Sequence, residues 1–208
     1  MGRPGMPDRK MAKNKVINML QNKNKIQSNK SHMTYIKNID IFSAVEQRIS
    51  AKNAGSTVFV PHVCNNADLF GAGFAGDISL RYPEVEANYH LLGKSFLTKN
   101  MGYSQILKIK ETEPYKHKLY VVNMIAQNGT KSIQNHRPLN YYGLIKSMVS
   151  LAKFIDTNTG FLNKTENIEI HCPRFGSGLA GGNWNFISDL IEDVWSKYPV
   201  FVYLPYTR

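Results

Sequence analysis

Four glycines in seven residues, Gly176, Gly178, Gly181 and Gly182, follow Pro173–Arg174–Phe175 and precede Asn183–Trp184. Such a turn lets backbone N–H groups approach an anion with no Cβ in the way, and a helix start behind it adds partial positive charge. A phosphate or diphosphate is the ligand it suits. The same composition equally serves a chain that only has to turn between a strand and a helix. A second stretch of this kind, Gly71–Ala72–Gly73–Phe74, follows the run from Val58 to Cys64 through Asn65–Asn66–Ala67–Asp68–Leu69–Phe70. Two strand–glycine–helix units at the carboxyl edge of one open sheet can face a single diphosphate. The three-glycine dinucleotide fingerprint is not met, because Gly71–Ala72–Gly73 lacks the third glycine and lies well past its strand.

Side chains able to move protons are few near these loops. His62 falls at the carboxyl end of the Val58–Cys64 run, where it is either a general acid or base or a core histidine bonded to backbone. His62 and Cys64 share one strand face, but nothing in the sequence predicts the lowered thiol pKa that a cysteine nucleophile needs. A zinc site from His62, Cys64, His171 and Cys172 is disfavoured, since adjacent strand residues such as His171 and Cys172 point to opposite faces. No metal and no cofactor are expected. Asp40 is either a solvated strand-end carboxylate or an acceptor for an exocyclic amine such as that of adenine. Tyr203 and Tyr206 either stack on a base or, for Tyr203, pack in the core.

The elements that must position these groups alternate between the strand and helix periods. The pattern predicts strands over Thr34–Ile41, Val58–Cys64, Gln105–Lys110, Lys118–Ala126, Ile168–Cys172 and Val200–Leu204. Leu119–Ile125 is almost continuously apolar and so is expected in the sheet interior. Helices are predicted over Phe42–Lys52, from Phe74 to just before Pro83, over Pro83–Leu97, from Pro138 through Ile155, and from Trp184. Gln127 to His136 reads as a polar, mobile loop beside the crevice, and Asp156–Asn167 as a turn-rich connector. There is no internal repeat, and the alternation is that of one α/β domain.

At 208 residues the chain can bury a sizeable core. No apolar run is long enough to span a bilayer and the first residues do not read as a signal peptide, so no membrane association and a cytoplasmic location are expected, the host cytoplasm if the source is viral. Cys64 and Cys172, both in apolar runs, are expected as buried thiols. The net charge of +11 is uneven: residues 1–32 hold Arg3, Arg9, Lys10, Lys13, Lys15, Lys23, Lys25 and Lys30 against Asp8 alone. This basic extension is expected to be disordered. It is either an arm making weak nucleic-acid contacts or a solvated tail.

Taken together, Tyr35–Phe42, His62–Asn65 leading to Gly71–Ala75, and Pro173–Leu179 with Trp184 resemble the macro domain family over about Met33 to Leu204. The likeness is nearest to the branch with ADP-ribose 1″-phosphate phosphatases and terminal ADP-ribose glycohydrolases, and to single-domain proteins of tailed bacteriophages. It implies a three-layer α/β/α macro domain with a central mixed sheet over residues 33–208, monomeric, binding ADP-ribose or ADP-ribose 1″-phosphate. The resemblance implies that Asp40, with Ile41, meets the adenine and Asn65 the distal ribose. It also implies that Gly71, Ala72, Gly73 and Phe74 embrace the diphosphate and distal ribose together with Phe175, Gly176, Ser177, Gly178, Leu179 and Ala180, with Gln127 and Tyr203 completing the site. One extra residue stands between Lys37 and Asp40. The lysine and aspartate used by the glycohydrolases correspond to Gln127 and Ala180, so a covalent lysine mechanism is not expected. What remains is hydrolysis of the phosphomonoester of ADP-ribose 1″-phosphate, with His62 as the candidate acid or base, or binding of ADP-ribose or a related signalling nucleotide without catalysis. An ADP-ribosyl hydrolase lacking that Lys/Asp pair is a further alternative.

Overall fold

A computed structural model describes residues 32–52, 55–159 and 167–204; the basic extension, except His32, and Tyr206 lie outside them. The elements, in chain order, are β1 (Met33–Ile36), α1 (Ile41–Ile49), β2 (Ser56–Asn65), α2 (Phe74–Arg81), α3 (Pro83–Lys99), β3 (Ser104–Thr112), β4 (His117–Gln127), α4 (Tyr141–Thr159), β5 (Asn167–Pro173), α5 (Trp184–Val194) and β6 (Val200–Tyr203). The sheet order is β1-β6-β5-β2-β4-β3, and every pair is parallel except the β3–β4 hairpin. The sheet is therefore mixed, and β4, with neighbours on both sides, occupies the interior place its apolar run predicts.

Alternation along the central strands sends side chains into two cores. On one face Phe59, Val122, Met124, Ile170 and Val202 pack against Leu144, Met148, Leu151 and Ile155 of α4 and Ile187 and Ile191 of α5. On the other, Val58, Val60, Leu119 and Val121 meet Ile41, Phe42, Val45 and Ile49 of α1, Ile78 of α2 and Val85. Helices on both faces make three layers, the arrangement that parallel strands buried on both sides require.

The boundaries depart from the sequence pattern most at two places. The first strand stops at Ile36 rather than Ile41, because Asn38 turns the chain with φ 58° and Asp40 becomes the N-cap of α1. The Asp40 carboxylate accepts from the Ser43 N–H at 2.8 Å and from its hydroxyl at 3.0 Å, a cap contributing about 1 kcal/mol. Helix α4 starts at Tyr141, three residues after Pro138, with Asn140 Oδ1 accepting from the Gly143 N–H at 2.8 Å; Leu139 instead pairs with Gln127 across an isolated bridge. Helix α5 begins at Trp184, where the sequence spacing predicts it, and its N-terminus is capped by the Asn183 side chain. By contrast α2 follows Gly73 directly, with no side chain capping its first turn.

Candidate functional site

The carboxyl ends of β2, β4, β5 and β6 open onto one crevice. It has two lobes, a larger cavity of about 1030 Å³ and a smaller one of about 450 Å³, which share Phe74, Pro173, Arg174 and Gly178 as common wall. The loop after β2 and the loop after β5 form that wall and touch across it: a Cβ on Gly73 would lie 3.3 Å from Leu179 Cδ1. Of the residues expected at the site, Asp40, Ile41, Phe74, Ser177, Gly178 and Tyr203 line the larger lobe. His62, Asn65, Ala72, Gly73, Gln127, Phe175, Gly176, Leu179 and Ala180 line the smaller lobe with Phe74 and Gly178. Gly71 lines neither; with φ 99° it turns the loop, and its carbonyl oxygen packs so closely on Gly76 that a Cβ there would sit 2.6 Å away.

Several side chains are already engaged within the protein. Asn65 Oδ1 accepts from the N–H of Ala67 at 2.9 Å and of Leu69 at 3.3 Å, while its amide donates to the Leu69 carbonyl. Asn65 therefore holds the 66–69 turn together, with little hydrogen-bonding capacity left for a sugar. Gln127 donates to the Gly129 carbonyl at 3.1 Å. The loop that follows, which the sequence marks as mobile, is tied by Asn135, whose amide donates to the carbonyls of Asn128 and Thr130 at 2.9 and 3.1 Å. Asp40 uses one carboxylate oxygen on its cap and leaves Oδ1 without a partner among the described residues.

His62 is 2% exposed. Its Nε2–H donates to Asn123 Oδ1 at 2.6 Å, the Asn123 amide donates to Gln105 Oε1 at 2.9 Å, and the Gln105 amide donates to the Asn88 carbonyl at 2.9 Å. This chain of amides crosses three adjacent strands and fixes the tautomer, leaving Nδ1 as the acceptor. Burial pushes the His62 pKa down to about 4, and the hydrogen bond to Asn123 opposes it only in part. The imidazole is thus neutral near pH 7 and has no proton to give as an acid. Cys64, 3.8 Å from His62 Nδ1, is pushed up by burial, so it is an inert thiol as the sequence indicates.

On the floor of the larger lobe the Tyr203 hydroxyl hydrogen-bonds His171 Nδ1 at 2.8 Å. His171 Nε2 in turn lies 3.0 Å from Glu169, which also receives Arg48 Nε at 2.9 Å. Burial works against the Glu169 charge, yet the hydrogen bonds from His171 and Arg48 hold its pKa down to about 2. Tyr203 is thereby fixed as a wall whose hydroxyl is bonded away from β6 toward β5.

Charge divides the lobes. Lys131 and Arg174 line the smaller lobe and no carboxylate does; Asp40 and Asp77 line the larger one with Arg81 and Arg174. The Arg174 guanidinium lies 5.0 Å over the Trp184 ring, and Trp184 donates from Nε1 to the Tyr35 hydroxyl at 3.1 Å. Arg174 and Lys131 are crevice-lining cations that the sequence pattern does not single out. The usable signals were an arginine wedged between Pro173 and the first glycine turn, and a lone cation in a polar loop. Among the described residues there is no group of three His, Cys, Asp or Glu able to hold a metal ion, and no helix is long and apolar enough to cross a membrane.

The six-stranded mixed sheet between two helical layers, with its crevice at the carboxyl ends, is the macrodomain fold. A macrodomain protein from Streptomyces coelicolor aligns at 27% identity and TM-score 0.56 over 82% of this chain and 97% of that one. Thermosipho africanus DarTG, solved in complex with ADP-ribose, aligns at 12% identity and TM-score 0.55, covering 83% of this chain and 53% of that one; at that identity the likeness is one of fold. An uncharacterized 17.5 kDa protein from the tk-vs intergenic region of Enterobacteria phage T4 is 28% identical over 144 residues, 69% of this chain and 83% of its own length. No family model matches the chain.

Proposed function

We propose that the crevice binds ADP-ribose and that the protein hydrolyses the phosphomonoester of ADP-ribose 1″-phosphate. The observation carrying this reading is the smaller lobe, which has two cations, glycine-loop amides and no carboxylate. In this assignment the adenosine lies in the larger lobe with its amine toward the open Asp40 oxygen. The diphosphate crosses the shared wall at Arg174 and Gly178, and the distal ribose enters the smaller lobe. A 1″-phosphate there adds two negative charges, which Lys131 and Arg174 offset and which a carboxylate would repel. A water attacks the phosphorus, the bond from phosphorus to O1″ breaks, and O1″ leaves with a proton as the anomeric hydroxyl, giving ADP-ribose and inorganic phosphate. Lys131, Arg174 and the loop amides stabilise the charge on the transferring group. His62, neutral at the working pH, enters only as a hydrogen-bond acceptor through Nδ1, so proton delivery to the leaving oxygen falls to solvent and the reaction is slow.

A second reading is favoured by that same histidine. His62 is the one residue lining the smaller lobe whose ordinary pKa lies near neutrality, and it is held uncharged, which suits a binder of ADP-ribose with no chemistry. Calorimetry with ADP-ribose followed by phosphate release from ADP-ribose 1″-phosphate separates the two. Saturable binding with steady release of phosphate supports the hydrolase, and binding without release leaves the silent binder. Absence of ADP-ribose binding removes both.

A further inference from the structure

The larger lobe holds more cation and more room than an adenosine requires. At about 1030 Å³ it alone reaches the upper end of the range, ~300–1000 Å³, of pockets that enclose an entire small-molecule ligand. Arg174, at the shared wall, is placed to serve the diphosphate, whereas Arg81 lines the larger lobe only. The Arg81 guanidinium lies 5.6 Å over the Phe42 ring and makes no ion pair or hydrogen bond with any described residue, although Asp77, one turn earlier in α2, lines the same lobe. Its platform is rigid: Phe42 is buried, stacked on Phe74 at 5.5 Å and 8° and met edge-on by Tyr82 at 6.0 Å. A planar cation laid on an aromatic face keeps its N–H edge for an oxyanion and loses little further freedom when one arrives.

We infer that Arg81 is a specificity determinant for a phosphate ester on the adenosine ribose, at O2′ or O3′, so that the preferred ligand is an ADP-ribose phosphorylated at its nucleoside end. The inference rests on the placement of adenosine in the larger lobe proposed above. Such a ligand fills the lobe beyond the nucleoside and brings its charge to the one cation there that neither the diphosphate nor the protein uses.

The test is calorimetry on the full chain at constant ionic strength, with ADP-ribose against ADP-ribose 2′-phosphate, and 5′-AMP against adenosine 2′,5′- and 3′,5′-bisphosphate. The expected result is about tenfold tighter binding of the phosphorylated member of a pair, with the two bisphosphates telling O2′ from O3′. In Arg81→Gln that ratio falls to near one while ADP-ribose affinity stays within about twofold of the wild type. Equal affinities within each pair in the wild type, or an unchanged ratio in Arg81→Gln, overturns the inference and leaves ADP-ribose binding standing. Should ADP-ribose itself fail to bind, the functional reading falls, and the 5′-AMP and bisphosphate pair still decides the role of Arg81 by the same ratio.

Discussion

His62 stands at a place in the sequence that suggests proton transfer, and its surroundings deny it the proton. Its native pKa of about 4 lies below the ordinary 6.5, so in acid the unfolded chain takes up a proton at this residue before the folded one does. Above pH 6.5 His62 contributes no pH dependence; between 6.5 and 4 it removes stability as pH falls, by about 3 kcal/mol at the lower limit. Denaturant melts across that range should show a steeper acid loss for the wild type than for His62→Gln, and parallel curves would mean the imidazole is not buried as described. Asp40 has two roles that substitution can divide. Asp40→Ala should lose about 1 kcal/mol of stability through the α1 cap and weaken ADP-ribose, whereas Asp40→Ser keeps a capping oxygen and should weaken the ligand alone. Affinity equal to wild type in Asp40→Ser removes the carboxylate from the site. The sequence showed where His62 and Asp40 stand and not what they do, because the partner that fixes His62, Asn123, is 61 positions away on the neighbouring strand. Asp40 read as a strand end because the turn at Asn38 carries no glycine or proline to announce it.

The helices and strands themselves were legible wherever the hydrophobic period was long, as in β2, β4 and α4, and least so at their ends, where one side-chain hydrogen bond moves a boundary. The glycine loops were legible as loops, but the division of labour inside them was not, since it depends on what each Cα faces. Gly178 faces open space, with no atom within 4 Å of a Cβ built on it. Gly178→Glu should therefore fold with nearly unchanged melting temperature and lose ADP-ribose binding, because its side chain enters the lobes where the diphosphate is placed. Gly182 is the opposite case: a Cβ there would run into the Leu139 side chain and stand 2.7 Å from the Gly176 carbonyl oxygen. Gly182→Ala should cost about 1–3 kcal/mol of stability by overpacking, and the fraction that folds should still bind. Thermal melts and calorimetry on both variants check the pair; a Gly178→Glu protein that binds normally would take the diphosphate away from this loop.

At the scale of the whole molecule, the sequence predicted an alternating α/β domain but not the order of its strands, since parallel neighbours are joined through crossovers that leave no local mark. The junction with the basic extension is sharper than composition alone suggests. The His32 carbonyl accepts from the Val200 N–H at 3.0 Å, and its Nδ1 pairs with Glu192 at 3.0 Å. A chain beginning at Ser31 should keep the melting temperature and ADP-ribose affinity of the full protein, while one beginning at Met33 should melt measurably lower; a large loss in the longer of the two would show that the extension supports the fold. Strand β1 touches the sheet only through β6, and β6 lies between β1 and β5. During synthesis on a ribosome, β1 emerges before the other strands and waits for its only neighbour, the last of the six to be made. Until then β5 presents an open hydrogen-bonding edge bearing Ile170 and Cys172. The nascent protein thus carries, from the completion of β5 until β6 is made, an edge that invites pairing to another chain, and its yield in a cell should depend on how quickly the stretch between these two strands is translated and on holdase chaperones more than on the stability of the finished sheet.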